Sequence, residues 1–178
     1  MNCLKAGIAC ADQITTVSPR YAREILTEEF GERLDGLLRR RQQQLLGILN
    51  GVDYDEWRTV NNPHLPASYS ADDLSGKAQI KAELQKEVGL PATPEIPLFG
   101  VVTRLAEQKG IAILLPALHE MLPSPMQFVM VGSGDGHYAQ GLRQLQRQFG
   151  DRVSVRIGFD EGLSHRIEAA SDFFLMPS

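Results

Sequence analysis

From about residue 75 onwards, the apolar residues alternate between two periods, one typical of strands and one typical of helices. Apolar runs predict β-strands over residues 98–102, 127–131, 153–157 and 173–176. Apolar positions three or four residues apart predict helices over residues 75–88, 110–122, 138–149 and 163–170, the first of them capped by Ser75. Strands that are apolar on both faces and separated by helices indicate a parallel sheet with both faces covered. The sequence therefore predicts half or more of a doubly wound α/β domain.

The first 74 residues do not follow this alternation. Short apolar runs predict strands over residues 13–17 and 45–50, and a helix over residues 19–26 opens with Pro19 in its first turn. Residues 51–74 are rich in Asp, Asn, Pro and Ser, and we expect them to form a surface connection.

Composition excludes several classes of protein. The chain has 178 residues, of which 43% are hydrophobic, so it can bury a core. Its net charge of -4 argues against nucleic-acid binding through bulk positive charge. No apolar run approaches the roughly 20 residues that cross a bilayer, and the N-terminus lacks a signal-peptide pattern. Two cysteines, Cys3 and Cys10, are expected to be reduced, so we predict a cytoplasmic protein without nucleic-acid or membrane partners.

Ligands of doubly wound sheets bind where the strands end, so the loops after each strand are the candidate sites. Arg104 and Lys109 follow the first sheet strand and flank the start of a helix, where two cations would form an anion site. The alternative is a pair of solvated loop cations. The loop is not a P-loop, because the Gly-Lys-Ser/Thr ending is missing.

The next two loops carry glycines and an aromatic ring. Gly132 and Gly134 follow the second sheet strand, where they would let a ligand or another backbone come close. As a dinucleotide fingerprint this pattern is weak, and a tight strand-to-helix turn explains it equally well. Phe159 follows the third strand, where its ring would either stack on a base or pack into the core.

Other chemistry finds little support in the sequence. The four histidines show no metal-ligand spacing, so we predict no metal site. No Ser-centred nucleophile elbow is present. The run of Arg39, Arg40 and Arg41 is interpreted as an exposed face, and the alternative is a binding patch.

Taken together, segments of this chain resemble bacterial glycogen synthase, the starch synthase type that uses ADP-glucose. The similar segments run in order along nearly the whole chain: residues 5–8, 15–19, 34–38, 47–53, 104–105, 108–110, 132–135 and 165–166. The resemblance implies a glycosyltransferase of the GT-B type, with an active-site cleft between two Rossmann-like domains. It assigns residues 1–50 to the end of the N-terminal domain and the crossover, residues 51–74 to a linker, and residues 75–178 to the front half of the C-terminal domain.

The resemblance also implies an activity and a set of site residues. The activity is transfer of glucose from ADP-glucose to the non-reducing end of an α-1,4-glucan, with retention, in glycogen biosynthesis and without a cofactor. Arg104 and Lys109 correspond to the basic pair on the ADP phosphates and would act in catalysis. Phe159 corresponds to the position whose ring packs on adenine, and relatives often have Tyr there. The remaining residues of the nucleotide-sugar site would be Asn50, Gln108, Gly132 and Gly134.

Two segments of the family pattern are absent, namely a Lys-x-Gly-Gly-Leu motif and an acidic segment expected beyond Pro177. We therefore expect the chain to be part of a longer enzyme, inactive on its own, with an exposed edge strand over residues 173–178 that favours self-association. One alternative is a non-catalytic nucleotide-binding or assembly module. Another is an NAD-binding half-domain built on Gly132 to Gly136, with Asp160 as its acidic residue.

Overall fold

The computed structural model describes residues 2–177, which divide into two compact units, Met1–Asp53 and Tyr54–Ser178. This division falls before most of the predicted linker. Leu65, Ala67 and Tyr69 pack against the core of the second unit, so residues 54–74 are part of that unit and not a separate connection. No helix within residues 2–177 has the length and hydrophobicity that a bilayer crossing requires.

The first unit combines three short helices with a two-stranded parallel sheet. Its elements are α1 (Cys3–Cys10), β1 (Ile14–Thr16), α2 (Pro19–Glu24), α3 (Asp35–Arg40) and β2 (Leu45–Gly47). Ile14 lies opposite Leu45 in the sheet. The hydroxyl of Ser18 accepts a hydrogen bond from the backbone of Tyr21 and so caps α2, which begins with proline as predicted. The sequence analysis did not predict α3.

The second unit alternates helices and strands. Its elements are α4 (Ser75–Glu87), β3 (Leu98–Val102), α5 (Ile111–Met121), β4 (Gln127–Gly132), α6 (Gly136–Gln148), β5 (Val153–Ile157), α7 (Glu161–Ala170) and β6 (Phe173–Phe174). Ser75 is the first residue of α4 and not its cap. The carboxylate of Asp73 accepts a hydrogen bond from the Ser75 backbone at 2.9 Å, and this bond lowers the pKa of Asp73.

The four strands of this unit form one parallel sheet in the order β5-β4-β3-β6. β4 is buried along its whole length and alternates its side chains between two cores. Phe128 and Met130 face α5 and α6, whereas Val129 and Val131 face α4 and α7. Helices therefore cover both faces of the sheet, as predicted.

The strand order reverses once. The chain moves outward from β3 through β4 to β5, and α7 then returns it to β6 on the other side of β3. Such a reversal opens a crevice at the carboxyl ends of the strands, where ligands of these folds bind. The loops that follow β3, β4 and β5 lie at this edge of the sheet.

Candidate functional site

A cavity of about 220 Å³ lies at the carboxyl ends of β3, β4 and β5. The loops that follow these three strands all contribute residues to the lining of the cavity, and α7 contributes one more side of it. The lining includes Val102, Arg104, Gly132, Gly158, Phe159 and Ser164. The sequence analysis predicted a site at this edge of the sheet, and the structure places three of its candidate residues around one cavity.

The loops after β3 and β4 are bonded to each other through their backbones. The Leu105 N–H donates to the Ser133 carbonyl at 2.8 Å, and the Asp135 N–H donates to the Leu105 carbonyl at 2.8 Å. The Leu105 side chain is buried and anchors the pair of loops in the core. The segment that carries Arg104 is therefore fixed in place by the neighbouring loop.

Glycine is required where these two loops meet. A Cβ atom at Gly132 would collide with the carbonyl oxygen of Thr103, and one at Gly134 would collide with that of Leu105. Gly134 also has a φ of +148°, a backbone conformation that residues with a side chain rarely adopt. Both glycines thus accommodate another backbone, one of the two roles the sequence allowed. Gly132 lines the cavity, whereas Gly134 is not among its lining residues.

Arg104 presents an exposed guanidinium to this cavity. Within residues 2–177 its side chain has neither a hydrogen bond nor an ion pair. The five N–H donors of its planar fork are therefore open to a ligand, and this group suits the paired oxygens of a phosphate or carboxylate.

Gln108 and Lys109 belong to a single 3₁₀ turn, Glu107–Lys109, that leads into α5. Gly110 follows with a φ of +69°, and a Cβ atom there would lie 2.6 Å from the Pro177 carbonyl oxygen. The end of this turn therefore lies beside Pro177, in the segment that follows β6. Neither Gln108 nor Lys109 lines the cavity that contains Arg104. The two predicted cations share a loop, but only Arg104 reaches this cavity.

Phe159 is 87% exposed at the rim of the cavity, so the core alternative is wrong for this residue. Hydrogen bonds hold the bend that presents it on both sides. The Gly158 N–H donates to the Gly132 carbonyl at 2.9 Å, and the Asp160 carboxylate caps α7 by accepting from the Leu163 N–H at 2.9 Å. The ring is thus available to stack on a flat ligand group.

Asn50 lies in the first unit, exposed and three residues after β2. Its role near the donor remains a prediction.

A second cavity, of about 260 Å³, also contains cations but presents them differently. It lies among α4, the loop before β3 and Asp172. The Lys77 ammonium donates to the Ala169 and Ser171 carbonyls at 2.6 and 2.9 Å, and burial lowers its pKa. The Lys81 ammonium donates to two carbonyls and forms a 2.7 Å ion pair with Asp172. These two cations hold the fold together and are not open to a ligand.

A cluster around His165 was not found from the sequence. The His165 ring stacks on Trp57 at a centroid distance of 4.2 Å and on His64 at 4.6 Å. Burial, and then the neighbouring His64, lower the pKa of His165. No sequence spacing signals this cluster, because its members come from distant segments that meet only in the fold.

Comparison with known proteins tests the resemblance. The model of the starch synthase catalytic domain matches residues 1–40. Over 178 residues the chain is 57% identical to the glycogen synthase of Anaeromyxobacter dehalogenans and 51% identical to that of Cellvibrio japonicus. The resemblance to the glycogen synthase family is confirmed. The chain covers 37% of the length of each of these two glycogen synthases.

Solved structures agree with this assignment. The catalytic domain of starch synthase IV from Arabidopsis thaliana, bound to ADP and acarbose, matches 98% of this chain with a TM-score of 0.91 and 40% identity. The match covers 36% of that starch synthase chain. A glycosyltransferase from Rickettsia africae, 15% identical with a TM-score of 0.62, shows the fold alone. The predicted α/β fold class, with a partial Rossmann-like parallel sheet, is confirmed.

Proposed function

We propose that this chain is part of an enzyme that transfers glucose from ADP-glucose to the non-reducing end of an α-1,4-glucan, with retention, in glycogen biosynthesis. One observation carries the proposal: an arginine with no side-chain partner in the described part of the chain and an exposed phenylalanine meet at the carboxyl edge of the sheet, around a cavity of about 220 Å³. The similarity to a starch synthase catalytic domain bound to ADP and acarbose supports it. The proposed setting is the cytoplasm, without nucleic-acid or membrane partners.

Arg104 would bind the diphosphate of the donor. In transfer from a nucleotide sugar, negative charge builds on the departing diphosphate as the bond to the sugar breaks. A fixed guanidinium aimed at that charge stabilises the transition state, and loss of one such donor costs about 2.7–4 kcal/mol in comparable sites. The backbone bonds between the loops after β3 and β4 keep the backbone that carries this cation in position before the donor arrives.

The other site residues would have supporting roles. Lys109 would supply a second, more mobile cation from the turn before α5, with Gln108 beside it. Phe159 would stack on the adenine. Gly132 and Gly134 would act mainly by letting the loop of Arg104 approach, and Asn50 would contribute from the first unit.

Calorimetric titration with ADP tests the phosphate assignment. Arg104→Ala and Lys109→Ala should each weaken ADP binding by about 10- to 100-fold, the range for a hydrogen bond to a charged group. Arg143→Ala and Lys86→Ala are matched controls, because both side chains are exposed on helices away from the cavity lining. Equal ADP affinity in the parent protein and in Arg104→Ala would overturn the assignment.

A second titration distinguishes the contribution of the Phe159 ring to ADP binding from the contribution of the two cations. Phe159→Ala should weaken ADP by roughly 1–3 kcal/mol, the range measured for stacking on nucleic-acid bases. It should leave the affinity for inorganic pyrophosphate unchanged, because pyrophosphate has no base. Equal losses for both ligands would show that Phe159 shapes the loop and does not stack on adenine.

The transfer reaction itself is tested with radiolabelled ADP-glucose and glycogen. The full-length parent protein should incorporate glucose, and the 178-residue chain alone should not.

Light scattering on the same chain tests the proposed self-association, and a strictly monomeric species would contradict it.

A further inference from the structure

His64 and His165 meet beside α7, although they lie far apart in the sequence. Their rings are 4.6 Å apart with an interplanar angle of 20°, and Trp57 covers the other face of His165. The His64 backbone N–H donates to the Asn62 side chain at 2.8 Å, and Asn62 is itself buried. The His64 imidazole is therefore held by packing and by its loop, and the His165 imidazole is held by packing and by its place on α7.

His165 has an unsatisfied ring nitrogen. The residue is 4% exposed, and its Nε2 has no hydrogen-bond partner within the described chain. A buried polar atom without a partner costs about 1–3 kcal/mol, and such an atom calls for an explanation, of which a bound ion is one.

A carboxylate completes the cluster. Glu161 is the first residue of α7 and precedes His165 by four positions, so both lie on the same face of the helix. One donor atom from each of His64, Glu161 and His165 lies within 4.8 Å of the other two. A tetrahedral ion bound at about 2.0–2.2 Å needs its ligands roughly 3.4 Å apart, so a pair of donor atoms at the 4.8 Å limit must close by about 1.4 Å. The exposed Glu161 side chain can supply most of that movement.

The surrounding charge permits a cation. Glu56 and Glu161 both face His165, and the nearby positive charge belongs to Arg166. The Arg166 guanidinium is already held by Glu87 through two hydrogen bonds of 2.7 Å. The positive charge of Arg166 is therefore balanced by Glu87.

We propose that His64, Glu161 and His165 bind a borderline divalent transition-metal ion, with Zn²⁺ the ion that their two nitrogens and one oxygen fit best. Three protein ligands leave the fourth position of a tetrahedral ion to water. The ion would fasten the loop of His64 to the start of α7, next to the bend that presents Phe159. The sequence analysis predicted no metal site because these ligands come from two separate segments. The proposal does not depend on the proposed function.

Zn²⁺ titration by calorimetry tests the site in a Cys3→Ser/Cys10→Ser background, because both cysteines are exposed and would bind zinc themselves. This protein should bind one equivalent of Zn²⁺. His64→Gln and Glu161→Gln should each weaken binding by at least about tenfold. His137→Gln, which removes an exposed histidine on α6, is the control and should bind as the parent does.

Trp57 gives an independent readout, because it is the only tryptophan and stacks on His165. Cu²⁺ or Ni²⁺ at the site should quench its fluorescence in the parent protein and in His137→Gln, and not in Glu161→Gln. Glu161 is exposed, so this variant should stay folded, which a thermal melt will show. Absence of stoichiometric Zn²⁺ binding, or binding that both His64→Gln and Glu161→Gln leave unchanged, would overturn the proposal and leave adventitious binding only.

Discussion

Replacing Gly132 with alanine tests whether the loops after β3 and β4 are held together backbone against backbone. Gly132 is buried at the end of β4, and a Cβ atom there would collide with the carbonyl oxygen of Thr103. A carbon atom needs about 3.3 Å from such an oxygen, so the two loops would have to separate by roughly 1 Å. Because the obstructing atom belongs to the backbone, no side-chain rotation relieves the collision.

The expected loss of stability follows from the bonds between the loops. Separation strains the two 2.8 Å hydrogen bonds that join Leu105 to Ser133 and to Asp135. An unsatisfied buried group costs about 1–3 kcal/mol, and an overpacked methyl group costs a similar amount. We therefore expect Gly132→Ala to lower the free energy of unfolding by about 2–5 kcal/mol. That is a large part of the 5–15 kcal/mol that typically stabilises a domain.

Urea denaturation followed by circular dichroism measures this loss, and Gly136→Ala is the matched control. Gly136 begins α6 a few residues later, and a Cβ atom there meets nothing within 4 Å. Alanine at that position should be neutral or stabilise the helix by up to about 1 kcal/mol. If Gly132→Ala and Gly136→Ala had the same free energy of unfolding, the close backbone approach could not be what requires glycine at Gly132.

Three further changes probe the two cores and a half-buried acid. Gln127→Leu leaves the buried Gln85 amide without the oxygen it contacts at 2.6 Å, and it should cost about 1–3 kcal/mol in urea denaturation. Leu142→Ala opens a cavity between α6 and the sheet and should cost about 2–5 kcal/mol in the same assay. Burial raises the pKa of Glu168, so its ionised form destabilises the folded state at pH 7. Glu168→Gln should therefore raise the urea midpoint at pH 7. This gain should fade as the pH falls through the pKa of Glu168, and a gain that stayed constant down to pH 3 would contradict the assignment.

The sheet was predictable because its strands are buried. The predicted bounds of β3 and β5 match the structure, and β4 differs by one residue, since continuous apolar runs between turn residues leave few alternatives. β6 is shorter than predicted, because only Phe173 and Phe174 pair with β3. α3 was missed because its six residues span too few turns to show a period.

Contacts between distant segments were not predictable. The arginine run was interpreted as an exposed face, yet the Arg41 guanidinium donates to the carbonyls of Ile8, Ala9 and Ala11. This cation satisfies groups at the C-terminal end of α1, which no local pattern near Arg41 reveals. His64 and His165 are a second case, because each occurs alone in its own segment.

The candidate site was predictable in position but not in detail. Arg104, Gly132 and Phe159 were predicted as site residues from their positions after the strands, because ligands of parallel sheets bind there whatever their chemistry. The sequence left open whether the glycines face a ligand or a backbone, and whether Phe159 is buried. Both questions depend on how neighbouring loops pack, which only the three-dimensional structure defines. The same packing separates Lys109 from the cavity that Arg104 lines.

The cations at one end of the sheet are bonded to the protein, whereas Arg104 at the other end is open to a ligand. This difference indicates where an anion binds. Lys77 and Lys81 already donate to carbonyl groups, so an anion bound to them would have to break those bonds first. Arg104 has no such partner within residues 2–177, and the backbone of its loop is fixed by the neighbouring loop. An anion therefore breaks no bond within the described residues to reach Arg104, and the ordering cost falls on the Arg104 side chain and not on its loop. A preformed loop and an unpaired cation distinguish a binding site from a structural one when both contain positive charge.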